Sequence, residues 1–437
     1  MICSRNTGKW QACVLILIII MHMSSISTGT CDNCAGMYPI REDGKWGFMN
    51  ETGTPMVLPG YDLVSPCING YIAVSNNGDW GIINNEGDVI IPLVYEIEWK
   101  DKCSVMTIER DDGMIALFYT KTGLLDDFKW RSVKIQEEKC EFPVQSSTGQ
   151  WGYVDEVGNE FVACSFIGAD FYNEGWAGVK IYDDENLRIE FDALINLSGA
   201  YLYPPDGYSI MCWDGVSEGL IQIQDETTGL FGYMNMEGKI VIPALFDNAY
   251  PFHGGFAVVE IFTLDESFFV DRTGKILDMA IHPPVEGDYS SISFSNNLIT
   301  VFIEENNSST CAVMDNKGTI RFINHNPEVA WIFHYYDDDH AWYVNEDGHY
   351  GIINKEGVLI TPPVFGCINE NGSPFCEGVA AVSYDGLWGF IDLNGLWEIL
   401  PLYERAWSYN NGLALVSYEG ALMYIDHEGN IIWAESR

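Results

Sequence analysis

Residues Gly70 to Tyr95 read GYIAVSNNGDWGIINNEGDVIIPLVY, and the polar interruptions cut this stretch into pieces too short for helices. Ile72–Ser75 alternates as a first strand, Asn76–Asp79 supplies a turn, Trp80–Asn84 makes a second strand, and Val89–Ile91 makes a third, ended by Pro92. Proline has no backbone N–H to give to a ladder, which is why it reads as a stop. Period-two alternation places Trp80 and Ile82 on one face and Gly81 and Ile83 on the other. The missing side chain at Gly81 leaves a slot, and a ring from a neighbouring unit is the expected filler.

The same grammar recurs along the chain. Glycines at 53, 87, 123, 158, 199, 238, 274, 318, 357, 395 and 429 are spaced by 34 to 44 residues. Three residues before each stands Asn50, Asn84, Asp155, Asn196, Asn235, Asp271, Asp315, Asn354, Asp392 or Asp426, and only Thr120 breaks the column. An Asx oxygen that binds the turn backbone, followed by a glycine that accepts φ > 0, is what a tight hairpin connection requires. An aromatic residue and a glycine precede the turn at Trp46-Gly47, Trp80-Gly81, Trp151-Gly152, Phe231-Gly232, Tyr350-Gly351 and Trp388-Gly389. No helical periodicity of comparable length competes, so the chain reads as all-β, in tandem three-stranded antiparallel repeats. One such unit cannot bury both of its faces, and neighbours must stack.

The pattern G-x-A-x-V, x-x-G-x-W-G-x-I-N/D, x-x-G-x-x-I-x-P resembles the WG-repeat (KWG) family. Lys45-Trp46-Gly47 carries the tripeptide, and GVAAVSYDGLWGFIDLNGLWEILP from Gly378 to Pro401 follows the pattern nearly throughout. The resemblance covers about residues 38–433, eleven units by the glycine column. It implies a bacterial-type repeat module with a binding or scaffolding role, and it supplies no catalytic residues. The units around Gly123, Gly199, Gly274 and Gly318 depart at the aromatic-Gly step, so regular stacking is in question over 102–130, 180–203, 260–278 and 302–326. Two architectures fit: a propeller-like arrangement with short blades, since 34 residues fall about one strand below the usual blade, and an open β-solenoid or superhelix.

With 63 acidic and 22 basic residues the net charge is −41, which argues against phosphate-rich nucleic acid and anionic lipid as partners. Residues 1–30 read as a secretory signal: Arg5 and Lys9 precede an apolar run from Ala12 to Met23, then a small polar stretch from Ser24 to Thr30. That run is too short to span a bilayer comfortably, and no other stretch approaches spanning length. The expected location is secreted or cell-surface, with no membrane insertion beyond the signal. Ten cysteines remain after the signal, an even number that suggests disulfides, with a small terminal bridge expected between Cys31 and Cys34 in the segment 31–37. Residues 434–437 form a tail, and Asn50, Asn196, Asn306, Asn307 and Asn371 lie in glycosylation sequons.

Catalytic chemistry is thinly signalled. Gly215-Val-Ser217-Glu-Gly219 matches the nucleophile-elbow string, but a strand rather than a helix follows, and Glu218-Gly219 stands where Glu174-Gly175 and Glu377-Gly378 open other units. The run His334-Tyr-Tyr-Asp337-Asp338-Asp339-His340 carries possible metal ligands without the glycine and register of a calcium loop, and reads as a solvated acidic loop. No phosphate loop, dinucleotide fingerprint or zinc-protease motif occurs, so neither cofactor nor metal is expected. Trp99, Trp130, Trp176, Trp213, Trp331, Trp342 and Trp407 suit stacking on a sugar or anchoring a protein, with core or cap positions as the plainer assignment. Trp213 and Trp407, in links between units, are the first candidates for a binding face. The expected function is non-catalytic interaction with a protein or glycan; the alternative is a secreted hydrolase of polysaccharide or peptide using paired carboxylates.

Overall fold

The computed structural model describes residues 36–100, 103–136, 139–181, 190–211, 216–264, 266–277, 281–282, 297–305, 308–335, 337, 339–368 and 375–436. The signal segment, Cys31, Cys34, Cys212 and Trp213 lie outside the described residues. The described chain is all-β, built of small antiparallel sheets, and no helix forms within it. It divides into two compact units, one with residues 36–140, 155–159 and 365–436, the other with 141–154 and 160–364. Modules are numbered 1 to 11 here by their turn glycines.

In module 2 the strands are Tyr71–Asn76, Asp79–Asn84 and Val89–Glu98. The tight turn at Asn77-Gly78 has both residues at positive φ, 55° and 95°, as the hairpin twist demands. The third strand does not stop at Pro92. Trp80 pairs with Tyr95 and Ile82 with Ile91, so a two-residue step on one strand meets a four-residue step on the other. Pro92 sits in the resulting bulge, where no ladder hydrogen bond is asked of it. The same mismatch recurs at Trp46/Phe48, Trp151/Tyr153, Phe231/Tyr233 and Trp388/Phe390.

That bulge explains the glycine of the aromatic-Gly step. A Cβ on Gly81 would lie 2.5 Å from the Ile91 carbonyl oxygen, and one on Gly232 2.5 Å from the Ile242 oxygen and 2.7 Å from the Ala244 nitrogen. Gly47, Gly152 and Gly389 meet the backbone of their own third strands in the same way. The slot at Gly81 is therefore filled by the module's own outer strand, not by a neighbour's ring. Gly351 departs from this: the ring of Tyr343, on the adjacent strand of its own module, comes within 2.5 Å of the Cβ position.

Several repeats also carry a short lead strand. Two-residue strands at Leu63–Val64, Gly168–Ala169, Asn248–Ala249, Cys367–Ile368 and Arg405–Ala406 pair with the first long strand of modules 2, 5, 7, 10 and 11. The tandem antiparallel unit is as expected, three-stranded in modules 1 and 9, while in modules 2, 5, 10 and 11 a short lead strand precedes three longer ones. In module 2 the alternation splits as expected. Ile72, Val74 and Ile83 pack with modules 1 and 11, while Ala73 and Ile82 pack with Met106, Ile108 and Phe118 of module 3. Ile82 and Ile83 are both fully buried, each stabilising by about 1.5–3 kcal/mol. The departing units still share cores: modules 5 and 6 through Leu194, Ile210 and Ile223, and modules 7 and 8 through Phe269, Val301 and Met314.

The turns behave as the column foretells. In all ten Asx turns the side-chain oxygen accepts from the amides two and four residues on. All eleven glycines of the column have φ between 67° and 97°. At Thr120 the geometry shifts, and the Gly123 amide donates to Tyr119 instead.

A second set of turns fixes one module on the next. Glu174, at φ 47°, accepts from the amides of Glu218 and Gly219 at 2.7 and 2.9 Å; Glu218 in turn accepts from the Gly255 amide at 3.0 Å and from Arg272 at 3.3 Å. Glu377 accepts from the Gly412 amide at 3.0 Å and contacts His427 Nε2 at 2.9 Å. Modules 1 and 11 are neighbours as well. The Tyr38 hydroxyl donates to the Asn411 carbonyl at 2.6 Å, and Arg41 forms a two-pronged ion pair with Glu435 at 2.7 and 3.1 Å.

Candidate functional site

The residues singled out from sequence are mostly structural. Trp46 is buried, and Trp80, Trp151, Phe231, Tyr350 and Trp388 are half-buried, all but Tyr350 beside their module's bulge. Trp407 is half-buried against the core shared by modules 1, 2 and 11, and its amide donates to the Leu415 carbonyl. Its ring is a packing element rather than an open platform. Trp130 and Trp342 are buried, and Trp99, Trp176 and Trp331 pack against core clusters.

Ser217 lies in the two-residue strand Val216–Ser217, buried, with its hydroxyl donating to the Phe252 carbonyl. Glu218 and Gly219 form a positive-φ hairpin turn behind it, so the strained strand-to-helix corner that lifts a nucleophile is absent. At the acidic loop His340 Nδ1 lies 2.8 Å from Asp337. Burial pushes the Asp337 carboxyl up, but hydrogen bonds from the Asp339 amide and from His340 outweigh it and hold the carboxyl below its usual range. No group of three or more His, Cys, Asp or Glu side chains is placed to hold a metal among the described residues. Cys103, Cys311, Cys367 and Cys376 are free thiols, so the expected disulfides do not include these four positions, whereas Cys67 is disulfide-bonded. Burial pushes the Cys103 and Cys311 thiols up to about 11, as expected of inert core cysteines.

The most distinctive surface lies in module 5, one of the departing units. Ala193 occupies the place of the glycine six residues before the turn, is fully buried, and pairs with Val179. A Cβ at this position meets the bulged backbone in five other modules, and here the outer strand does not bulge. It pairs regularly, Ile195 with Tyr201 and Leu194 with Leu202, then leaves the sheet at Pro204-Pro205.

The departure turns a core position outward. Four residues after the turn glycine stand Val57, Ile91, Val162, Ile242 and Ile399 in the regular modules, each at most 9% exposed. In module 5 that position is Tyr203, 53% exposed, next to Tyr201 at 44%. The two rings are near-parallel, with centroids 5.9 Å apart and an interplanar angle of 19°. Phe166, almost fully buried, braces Tyr201 edge-on at 6.3 Å. The turn below is rigid: Asn196 Oδ1 accepts from the Ser198 amide and hydroxyl and from the Ala200 amide. Leu197 extends the apolar surface from that turn, and the Gly238 turn of module 6 packs near Leu202 and the Tyr203 backbone.

Two exposed, near-parallel rings, one of them braced by Phe166, offer a surface for flat apolar faces. The C–H face of a pyranose stacks on such rings, and each hydroxyl can bind the sugar rim. Sequence reasoning passed over Tyr201 and Tyr203 because it sought tryptophans in the links. The available signal was aromatic residues at +2 and +4 from the turn glycine, where the five regular units place Val or Ile at +4.

The WG containing repeat model matches residues 46–79, 80–96, 151–183, 231–261, 350–388 and 388–420. No curated protein matches the sequence. Among solved structures, the chain is similar to a eukaryotic initiation factor at 10% identity and a TM-score of 0.38, covering 92% of this chain and 95% of that one. It is also similar to the extracellular domain of a hybrid two-component system from B. thetaiotaomicron, at 10% identity and a TM-score of 0.23, covering 92% of this chain and 64% of that one. A third is apo AztD from Citrobacter koseri, at 13% identity and a TM-score of 0.27, covering 78% of this chain and 94% of that one. Likeness at these scores carries no argument about ligands.

Proposed function

This chain is a WG-repeat protein, and from that premise we propose that it is a secreted or surface-exposed, non-catalytic scaffold that binds glycan on the Tyr201–Tyr203 platform. One observation carries the reading. A position that is core in the five regular modules is an exposed tyrosine in module 5, beside a second ring that Phe166 braces. The net charge of −41 supports an uncharged or cationic glycan over a sulfated or phosphorylated one. The acidic surface suits a soluble exterior protein, in keeping with the signal-like residues 1–30.

Titration of neutral β-linked oligosaccharides into the mature chain, followed by tyrosine fluorescence and calorimetry, tests this. The expected result is saturable, low-affinity binding without turnover, lost in Tyr201→Ala/Tyr203→Ala while the thermal melt is unchanged. Binding that survives the double substitution, or hydrolysis of the oligosaccharide, would contradict it.

A further inference from the structure

The outer strand of module 10, Trp397–Tyr403, ends its sheet, in the order Cys367–Ile368, Val379–Tyr384, Leu387–Asp392, Trp397–Tyr403. Its inward row is core, with Ile399 buried against module 11. Its outward row reads Leu396, Glu398, Leu400, Leu402 and Glu404, all exposed, with the three leucines at 65%, 60% and 56%. Tyr384 and Leu387, at the hairpin of the same module, add further exposed apolar surface, and Tyr384 meets Trp397 edge-on at 6.2 Å.

Three exposed leucines in one row at a sheet edge are unusual for a protein that stays soluble, since such edges recruit other chains. A second copy of this chain is a poor occupant. It would bring the same Glu398 and Glu404 row and a net charge of −41 against its like. We infer that this edge docks an extended partner segment of the opposite kind, in which basic residues flank apolar ones, its side chains covering the leucine row and its cations meeting Glu398 and the Asp385 turn. This surface is separate from the Tyr201–Tyr203 platform and does not depend on it.

A fluorescent eight-residue peptide alternating Lys and Leu serves as the probe, titrated against the full chain, with a Lys–Ser peptide as the charge-only control. Saturable binding is expected, weakened at least tenfold by Leu400→Ser/Leu402→Ser, severalfold by Glu398→Lys, and by added salt, with the Lys–Ser peptide binding at least tenfold more weakly. All three side chains involved are exposed, so the melts of the variants should match the wild type. The inference is overturned if the wild-type chain fails to bind the Lys–Leu peptide, if both variants bind it unchanged, or if the Lys–Ser peptide binds equally well.

Discussion

Modules 5 and 6 are consecutive, share a core through Leu194, Ile210, Ile223 and Met234, and close with the same Asn-x-x-Gly turn, yet their outer strands behave oppositely. In module 6 Gly232 lets the outer strand bulge over it, and Ile242 drops into the core. In module 5 Ala193 keeps its Cβ, the outer strand stays regular for two residues, and Tyr203 faces solvent. At Ala193 the side chain is kept, the outer strand does not bulge, and the module presents a surface. Module 5 is one of four units that depart from the aromatic-Gly step, and its neighbours still supply enough cover to hold the sheet.

The contrast can be broken from either side. Ile242→Ala, in the core of modules 6 and 7, should cost about 4 kcal/mol in urea-unfolding experiments, whereas Tyr203→Ala at the same repeat position should cost less than about 0.5 kcal/mol. Equal costs would mean that Tyr203 is a core residue after all. Gly232→Val should lose about 3 kcal/mol, because the new side chain meets backbone atoms that can yield only by undoing the bulge. Gly81→Val belongs to the same class. The reverse replacement, Ala193→Gly, should cost only about 1 kcal/mol, the entropic penalty of glycine in a strand, since no bulged backbone waits to fill the space. A loss as large as that of Gly232→Val would show that the two positions are equivalent.

The turns give a smaller and pH-dependent contrast. Modules 5 and 6 use Asn196 and Asn235, whereas module 7 uses Asp271. Burial pushes the Asp271 carboxyl up, but hydrogen bonds from the Thr273 hydroxyl and from the Thr273 and Lys275 amides outweigh it and hold the carboxyl below its usual range. Asp155, Asp315, Asp392 and Asp426 are likewise depressed. A depressed carboxyl contributes stability above its unfolded value, near pH 4, and loses it as pH falls through the folded value. Asp271→Asn should therefore change stability at pH 7 by less than about 0.5 kcal/mol and flatten the acid limb of thermal melts recorded below about pH 4. An unaltered acid limb would remove the carboxyl from the account.

Much of this was legible in the residues. The Asx-x-x-Gly column, the all-β reading and the two buried faces marked by Ile82 and Ile83 rest on local turn chemistry and on period-two alternation, both written in short windows. Lead strands such as Leu63–Val64 escaped because two residues show no period. The bulge escaped because Pro92 reads locally as a stop, and only the pairing of Trp80 with Tyr95 reveals a strand that carries on. The platform escaped for a related reason. Tyr203 is unremarkable in its own window, and becomes conspicuous only when aligned with Ile242 and shown to be exposed. Trp407 looked like a face because its link is polar, but the packing of module 11 on module 1 covers it, a contact between residues far apart in the chain.

The claim beneath all of this is that no module has a core of its own: Ile82 and Ile83 are buried only because modules lie on both sides. Circular dichroism of an excised peptide spanning Leu63 to Glu98, melted beside the full chain, tests it directly. The peptide should show no cooperative transition and a spectrum lacking stable strand structure, while the full chain melts cooperatively. A peptide that melts with its own sharp, reversible transition would contradict the claim.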